Sequence, residues 1–110
     1  MIANPYESIS AQAEKMLRQE LTSSDLVEQC CERIEALDSR LGAFQLLCLE
    51  RARVAGQAVD QAIESGHRIG PFHGIPFALK DIIDVDGLVT TAGCQLRKTH
   101  IARQSATIAR

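Results

Sequence analysis

Apolar residues recur at helical spacing three times along this chain, and then the pattern changes. Between Ser8 and Leu21, the positions Ile9, Ala13, Met16 and Leu17 share one face, and Ser8 or Ser10 stands where a side chain can cap the first turn. Thr22-Ser23-Ser24-Asp25 reads as a break followed by a new N-cap, with an acidic residue in the first turn. Leu26, Val27, Cys30, Cys31, Ile34 and Leu37 then form one broad apolar stripe, opposite Glu28, Gln29, Glu32, Arg33 and Glu35. This helix is expected to end between Asp38 and Gly42. Ala43 to Cys48 is a short apolar run, and periodicity does not decide between a buried strand and the start of the next helix. From Leu49 to Ser65 an Ala-rich helix is predicted, with Ala52, Ala55, Val59, Ala62 and Ile63 on one face and Gly66 placed to cap its end.

After Gly66 the character is different. His67 to Gly74 reads as a loop. Ile75 to Val85 is dense in apolar residues and too irregular for an amphipathic helix. It predicts a buried strand ending near Lys80 or Asp81, with Pro76 at its first residues, where a missing N–H does least harm. Asp86-Gly87 is a turn signal, and Leu88 to Thr91 predicts a second short extended piece. Ser105 is placed to cap a helix beginning at Ala106. The chain stops about one turn into that helix, too short to be stable alone, so the ending reads as a cut. The pattern thus gives helices with apolar faces beside about two strands, and two strands rarely stand alone.

Composition narrows the function. The chain has 110 residues, with 12 Lys and Arg against 14 Asp and Glu, a formal charge of -2. That balance excludes a disordered charged tail and gives no sign of nucleic-acid binding. No apolar run approaches the ~20 residues needed to span a bilayer. Met1 to Glu7 has neither the basic nor the apolar segment of a signal peptide, which makes the cytoplasm the default compartment. The four cysteines, Cys30, Cys31, Cys48 and Cys94, lack zinc-like spacing and are expected to be buried, reduced thiols rather than metal ligands.

Lys80 is the position that carries candidate chemistry. It interrupts the apolar run from Ile75 to Ile83. A lysine in a water-poor pocket has its pKa lowered, because burial disfavours the ammonium, and can then act as a general base. The plainer reading of the pattern is a lysine that ends an edge strand and reaches water, as most lysines do. Gly70, Gly74, Gly87 and Gly93 fit no phosphate-binding spacing and read as turn residues. His67, His73 and His100 are scattered over loops, and the basic stretch Arg97 to Arg103 lacks interleaved aromatics, so it reads as a solvated face.

The stretch Gly70-Pro71-Phe72-His73-Gly74-Ile75-Pro76-Phe77-Ala78-Leu79-Lys80-Asp81 resembles the amidase signature family. So does its continuation through Val85-Asp86-Gly87 and Thr90-Thr91-Ala92-Gly93. Upstream, the Ser24 to Asp38 helix, Ala43-Phe44 and the Ala-rich helix are similar to the family as well, as is Ser105 to Arg110.

The resemblance implies the N-terminal portion of an α/β fold, a mixed sheet covered by helices, over residues 1–110. It implies hydrolysis of a carboxamide C–N bond in a small-molecule amide through a Ser–cis-Ser–Lys triad, with no cofactor and no metal. Lys80 falls on the triad lysine. No segment rich in glycine and serine follows, and Ser105 is the only serine after Lys80. The triad's two serines are therefore missing, and the 110 residues are expected to be inactive alone. One alternative is the A subunit of a tRNA-dependent glutamine amidotransferase, the one case that brings in a nucleic-acid partner. Another is a non-catalytic α/β interaction module or pseudogene product. No membrane partner is implied, and the oligomeric state is left open.

Overall fold

The computed structural model describes residues 6–68 and 70–110. Most of the Met1 to Glu7 segment lies outside that range. The chain divides into two compact units, Met1–Pro76 and Phe77–Arg110.

The first unit holds three helices: α1 (Ile9–Leu17), α2 (Ser23–Leu41) and α3 (Leu49–Glu64). Ser8 caps α1, its Oγ accepting the Ala11 N–H at 3.2 Å. The helix stops well short of Leu21, because Gln19 takes a left-handed φ of 58°. That turn drives Leu21 into the core beside Met16 and Leu26, with Ile63 and Ile75 packed against them.

The break at Thr22 is a reciprocal cap. Thr22 Oγ1 accepts the Asp25 N–H at 3.0 Å, and the Asp25 carboxylate accepts the Thr22 N–H at 3.0 Å. The predicted stripe of α2 is buried at Leu26, Val27 and Cys31. α2 ends within the expected Asp38 to Gly42 range, with Gly42 in the left-handed conformation.

α2 and α3 pack on each other. The contact centres on Gly56, the buried residue of α3, where a methyl group would sit 3.3 Å from Val27 Cγ2. Arg53 ties the same helices at the surface, donating to Glu28 at 2.8 Å, Glu50 at 2.5 Å and Glu35 at 3.4 Å. An exposed network of this kind adds little stability.

Several expectations are corrected. Ala43 to Cys48 is neither strand nor helix: Asp38 Oδ1 accepts the N–H groups of Ala43 and Phe44 and turns the chain outward. Only Cys31 of the four cysteines is buried, while Cys30 and Cys94 are exposed. Cys30 lies about 100° round α2 from Cys31 and so leaves the packed face.

The larger correction concerns the sheet. Among the described residues there is no strand. Ile75 to Val85 runs without a ladder partner, and a strand needs one to satisfy its main-chain polar groups. Those groups are used in turns instead, such as the Ile83 N–H on the Lys80 carbonyl at 3.0 Å. The extended Leu88 to Thr91 piece does find a partner, but downstream. Gly87 and Ala102 donate across at 2.9 Å each, Thr90 donates to His100 at 3.2 Å, and Val89 makes an antiparallel bridge with Ile101. Thr90 and Ala102 are buried beneath this pairing.

Ser105 does not cap a helix. Its Oγ accepts the Asp86 N–H at 2.9 Å, and the chain after it forms only a 3₁₀ turn at Thr107–Ala109.

Candidate functional site

Two loops carry the motif residues, one in each unit. In the first unit, Gly74 has a φ of 95°, and its carbonyl accepts the Ser23 hydroxyl at 2.8 Å. A methyl group there would overlap Met16 Cε and lie 3.1 Å from Val59 Cγ1 and 3.3 Å from Ser23 Cβ. Only glycine fits both the dihedral and the space. The second glycine of the Gly-Pro-Phe-His-Gly stretch is thus fixed against α1, α3 and the start of α2.

In the second unit the Lys80-Asp81 pair meets the Thr90-Thr91-Ala92-Gly93 segment. Asp81 Oδ1 accepts the Thr91 N–H at 2.8 Å, Oδ2 accepts the Thr91 hydroxyl, and the Asp81 carbonyl accepts the Ala92 N–H at 2.8 Å. The Thr91 hydroxyl, then its N–H, holds the Asp81 carboxyl below the ordinary carboxylate value, with the charge of Arg97 acting the same way. Asp81 is therefore ionised at neutral pH. Arg97 also donates to the Thr90 carbonyl at 3.3 Å. The segment turns sharply, with Ala92 at φ 50° and Gly93 at φ 71°.

Lys80 itself is exposed, and among the described residues it joins no ion pair. The water-poor pocket that a neutral lysine requires is not built by the residues around it here. The structure does bring the Lys-Asp pair and the Thr-Thr-x-Gly segment together, although they lie ten residues apart. Sequence reasoning gave Asp81 no role and passed over Thr91. The available signal was chemical: a carboxylate beside an apolar run needs donors, and the next hydroxyl-bearing pair along the chain supplies them. Among the described residues no helix is long and apolar enough to cross a membrane.

The comparisons agree with this arrangement. The family model described as Amidase matches residues 25–110, which include both motif loops and the Asp81–Thr91 contact. The chain belongs to the amidase family. Among its relatives is the A subunit of the glutamyl-tRNA(Gln) amidotransferase of Anaeromyxobacter dehalogenans, 38% identical over 88 residues, covering 80% of this chain and 18% of that protein. Another is the putative amidase AmiB2 of Mycobacterium tuberculosis, 39% identical over 88 residues, covering 80% of this chain and 19% of the relative.

A solved structure described as "An unexpected vestigial protein complex reveals the evolutionary origins of an s-triazine catabolic enzyme" superposes with a TM-score of 0.83. It is 29% identical and covers 91% of this chain and 22% of the other. The chain thus spans about a fifth of the length of the relatives and of the solved chain it matches, and over that span it shares the fold of the solved chain.

Proposed function

We propose that residues 1–110 form the N-terminal portion of an amidase signature domain and that Lys80 is the base of its Ser–cis-Ser–Lys relay. The observation that carries this reading is the Asp81 clamp on Thr91, which sets the main chain beside Lys80 in a family whose motif is a Lys-Asp pair followed by a Thr-Thr-x-Gly turn. In this reading Lys80 Nζ takes a proton from the bridging serine, which takes one from the nucleophilic serine. The nucleophile's oxygen bonds to the amide carbon, and main-chain N–H groups hold the oxyanion. The C–N bond breaks, the amine leaves with a proton, and water hydrolyses the acyl-enzyme. The two serines and the walls that would dry Lys80 come from beyond these residues, and the exposure of Lys80 here agrees with that division. The substrate is a small carboxamide, the reaction needs neither metal nor cofactor, and the setting is cytoplasmic.

The test begins with the coding DNA downstream of the Arg110 codon. A frame continuing into a segment rich in glycine and serine supports the reading. In that longer protein Lys80→Ala is expected to abolish turnover while the protein stays folded. Retained turnover would remove Lys80 from the mechanism, and a stop codon after Arg110 would favour a non-catalytic module. The 110 residues alone are expected to release no ammonia from carboxamides.

A second reading has its own support, because relatives at 38% identity include amidotransferase A subunits. Ammonia would then pass to a reaction on charged tRNA. Co-purification with partner subunits, and turnover that depends on them, would separate it from a free-standing amidase.

A further inference from the structure

In residues 80–94, unusual main-chain geometry coincides with chemistry-bearing side chains. The Lys80 carbonyl accepts the Ile83 N–H at 3.0 Å, and the Asp81 carbonyl accepts the Ala92 N–H at 2.8 Å. The two peptide groups that follow Lys80 are therefore both held. The Asp81 side chain adds two bonds to one residue, its Oδ1 on the Thr91 N–H and its Oδ2 on the Thr91 hydroxyl.

The turn so gripped is strained. Ala92 and Gly93 are consecutive left-handed residues, and the first carries a side chain. A non-glycine residue there costs about 1 kcal/mol, and such a conformation persists only where its surroundings over-determine it. Asp81 supplies that constraint. The Thr91 hydroxyl extends it by accepting the Gly93 N–H at 3.3 Å, and Arg97 holds the Thr90 carbonyl from the other side. This is more hydrogen bonding than an exposed turn needs, and it is concentrated on the residue next to Lys80.

We infer that Asp81 is a positioning residue for Lys80: through Thr91 it pins the main chain after the lysine to the 90–93 turn and gives the side chain a fixed anchor. The inference rests on the reading of Lys80 as the base. It assigns Thr91 a role of its own, because the threonine hydroxyl is the hinge between carboxylate and turn. A base on a relay must meet its partner within hydrogen-bond reach, and a misplacement of about 1 Å lowers turnover about a hundredfold.

The test places this chain, entire, ahead of the remainder of the Mycobacterium tuberculosis relative and follows ammonia release from benzamide. Thr91→Val keeps the N–H bond to Asp81 but removes the hydroxyl. It is expected to lower kcat about a hundredfold with KM changed less than about threefold. Thr91→Ser, which restores the hydroxyl, is expected to recover turnover to within about threefold of the parent. A purely structural role would lower the Tm of Thr91→Val and leave kcat per folded molecule unchanged, and that result overturns the inference.

Lys80→Ala separates the two readings. Turnover that survives it removes the base, whereas turnover lost in Lys80→Ala but kept in Thr91→Val removes only the positioning role. Residue-resolved hydrogen exchange on the 110-residue chain tests the clamp that the inference requires, whatever the fusion turns over. The Thr91 amide, bonded to the Asp81 carboxylate, is expected to be protected and to exchange about tenfold faster in Asp81→Ala. A Thr91 amide unprotected in the parent, or unchanged in the variant, overturns the inference.

Discussion

The Asp60 carboxylate accepts the Ser23 N–H at 2.7 Å, although 37 residues separate the two. Its other oxygen accepts the Ser24 N–H at 3.0 Å and the Ser24 hydroxyl at 2.5 Å. With Thr22 on the Asp25 N–H, and the Thr22 carbonyl on the Leu26 N–H, the first four N–H groups of α2 are all satisfied. A side chain of α3 thus closes the end of α2, and the favourable end of the helix dipole faces a carboxylate.

Asp60→Ala is expected to destabilise the first unit by about 2 kcal/mol, since it strips two main-chain donors of their acceptor. Asp60→Asn keeps one acceptor oxygen and is expected to cost about 1 kcal/mol. Urea unfolding followed by helical circular dichroism measures both. Equal stability of Asp60→Ala and the parent would mean that the carboxylate does not close α2 in solution.

This contact shows where sequence reading stops. The three helices were legible because each buries one face, and 3.6-residue periodicity records that face directly. A serine cap on α1 and the end of α2 near Gly42 were legible because such signals are local. Asp60 stood among the polar residues of α3, and periodicity files every such residue as solvated. Asp81 was passed over for the same reason: its partner Thr91 is ten positions away, joined by a turn that no short pattern announces. The strand from Ile75 was misjudged in the opposite direction. Its composition is that of a strand, but a strand is a property of two segments, and among the described residues no second one pairs with it. The motif around Lys80 was read by resemblance to a family, whereas its exposure matches the plainer reading of the pattern, a lysine that reaches water.

Gly74→Ala tests the fixing of the first motif loop. The nearest clash, with Met16 Cε, involves the end of a flexible side chain and can be relieved by rotation, although Met16 is buried. The contacts with Val59 and Ser23 are less forgiving, and φ 95° is strained for alanine whatever the space. A loss of about 2 to 3 kcal/mol is expected. Gly87→Ala is the control, because Gly87 has a similar φ of 76° but open space around its Cα. It should cost about 1 kcal/mol, the strain alone. Equal losses in the two variants would show that packing at Gly74 contributes nothing.

Gly56 sets how closely α2 and α3 approach. Replacing a mid-helix glycine with alanine gains about 1 kcal/mol of helix propensity. Here the new methyl group would meet Val27 Cγ2 at 3.3 Å and the Ser24 main chain at 3.5 Å. Val27 is buried and must shift by a few tenths of an ångström, so Gly56→Ala is expected to be near neutral, within about 0.5 kcal/mol. Gly56→Leu cannot be accommodated without separating the helices and should cost about 3 kcal/mol. Chemical denaturation of the two variants side by side gives the comparison. A Gly56→Leu chain as stable as the parent would mean that the close approach is not needed.

Acid should loosen both units, and the sign follows from their carboxylates. The Thr22 hydrogen bonds hold the Asp25 carboxyl below its ordinary value of 3.8, and those of Thr91 do the same for Asp81. In each case the folded state binds a proton less readily than the unfolded state. Their contribution is therefore complete above the unfolded value and disappears as the pH falls through the depressed folded value. Stability is expected to be flat, as far as these two groups decide it, from about pH 8 to about 5, and to decline below about 4. Asp25→Asn isolates one of them. It keeps an acceptor for the Thr22 N–H but loses the charge at the start of α2, so it should be less stable than the parent at about pH 7, with the gap closing as the pH falls through the depressed folded value. Urea midpoints for parent and variant at both ends of that range decide the matter, and a gap independent of pH would mean that the charge of Asp25 has no part in the cap.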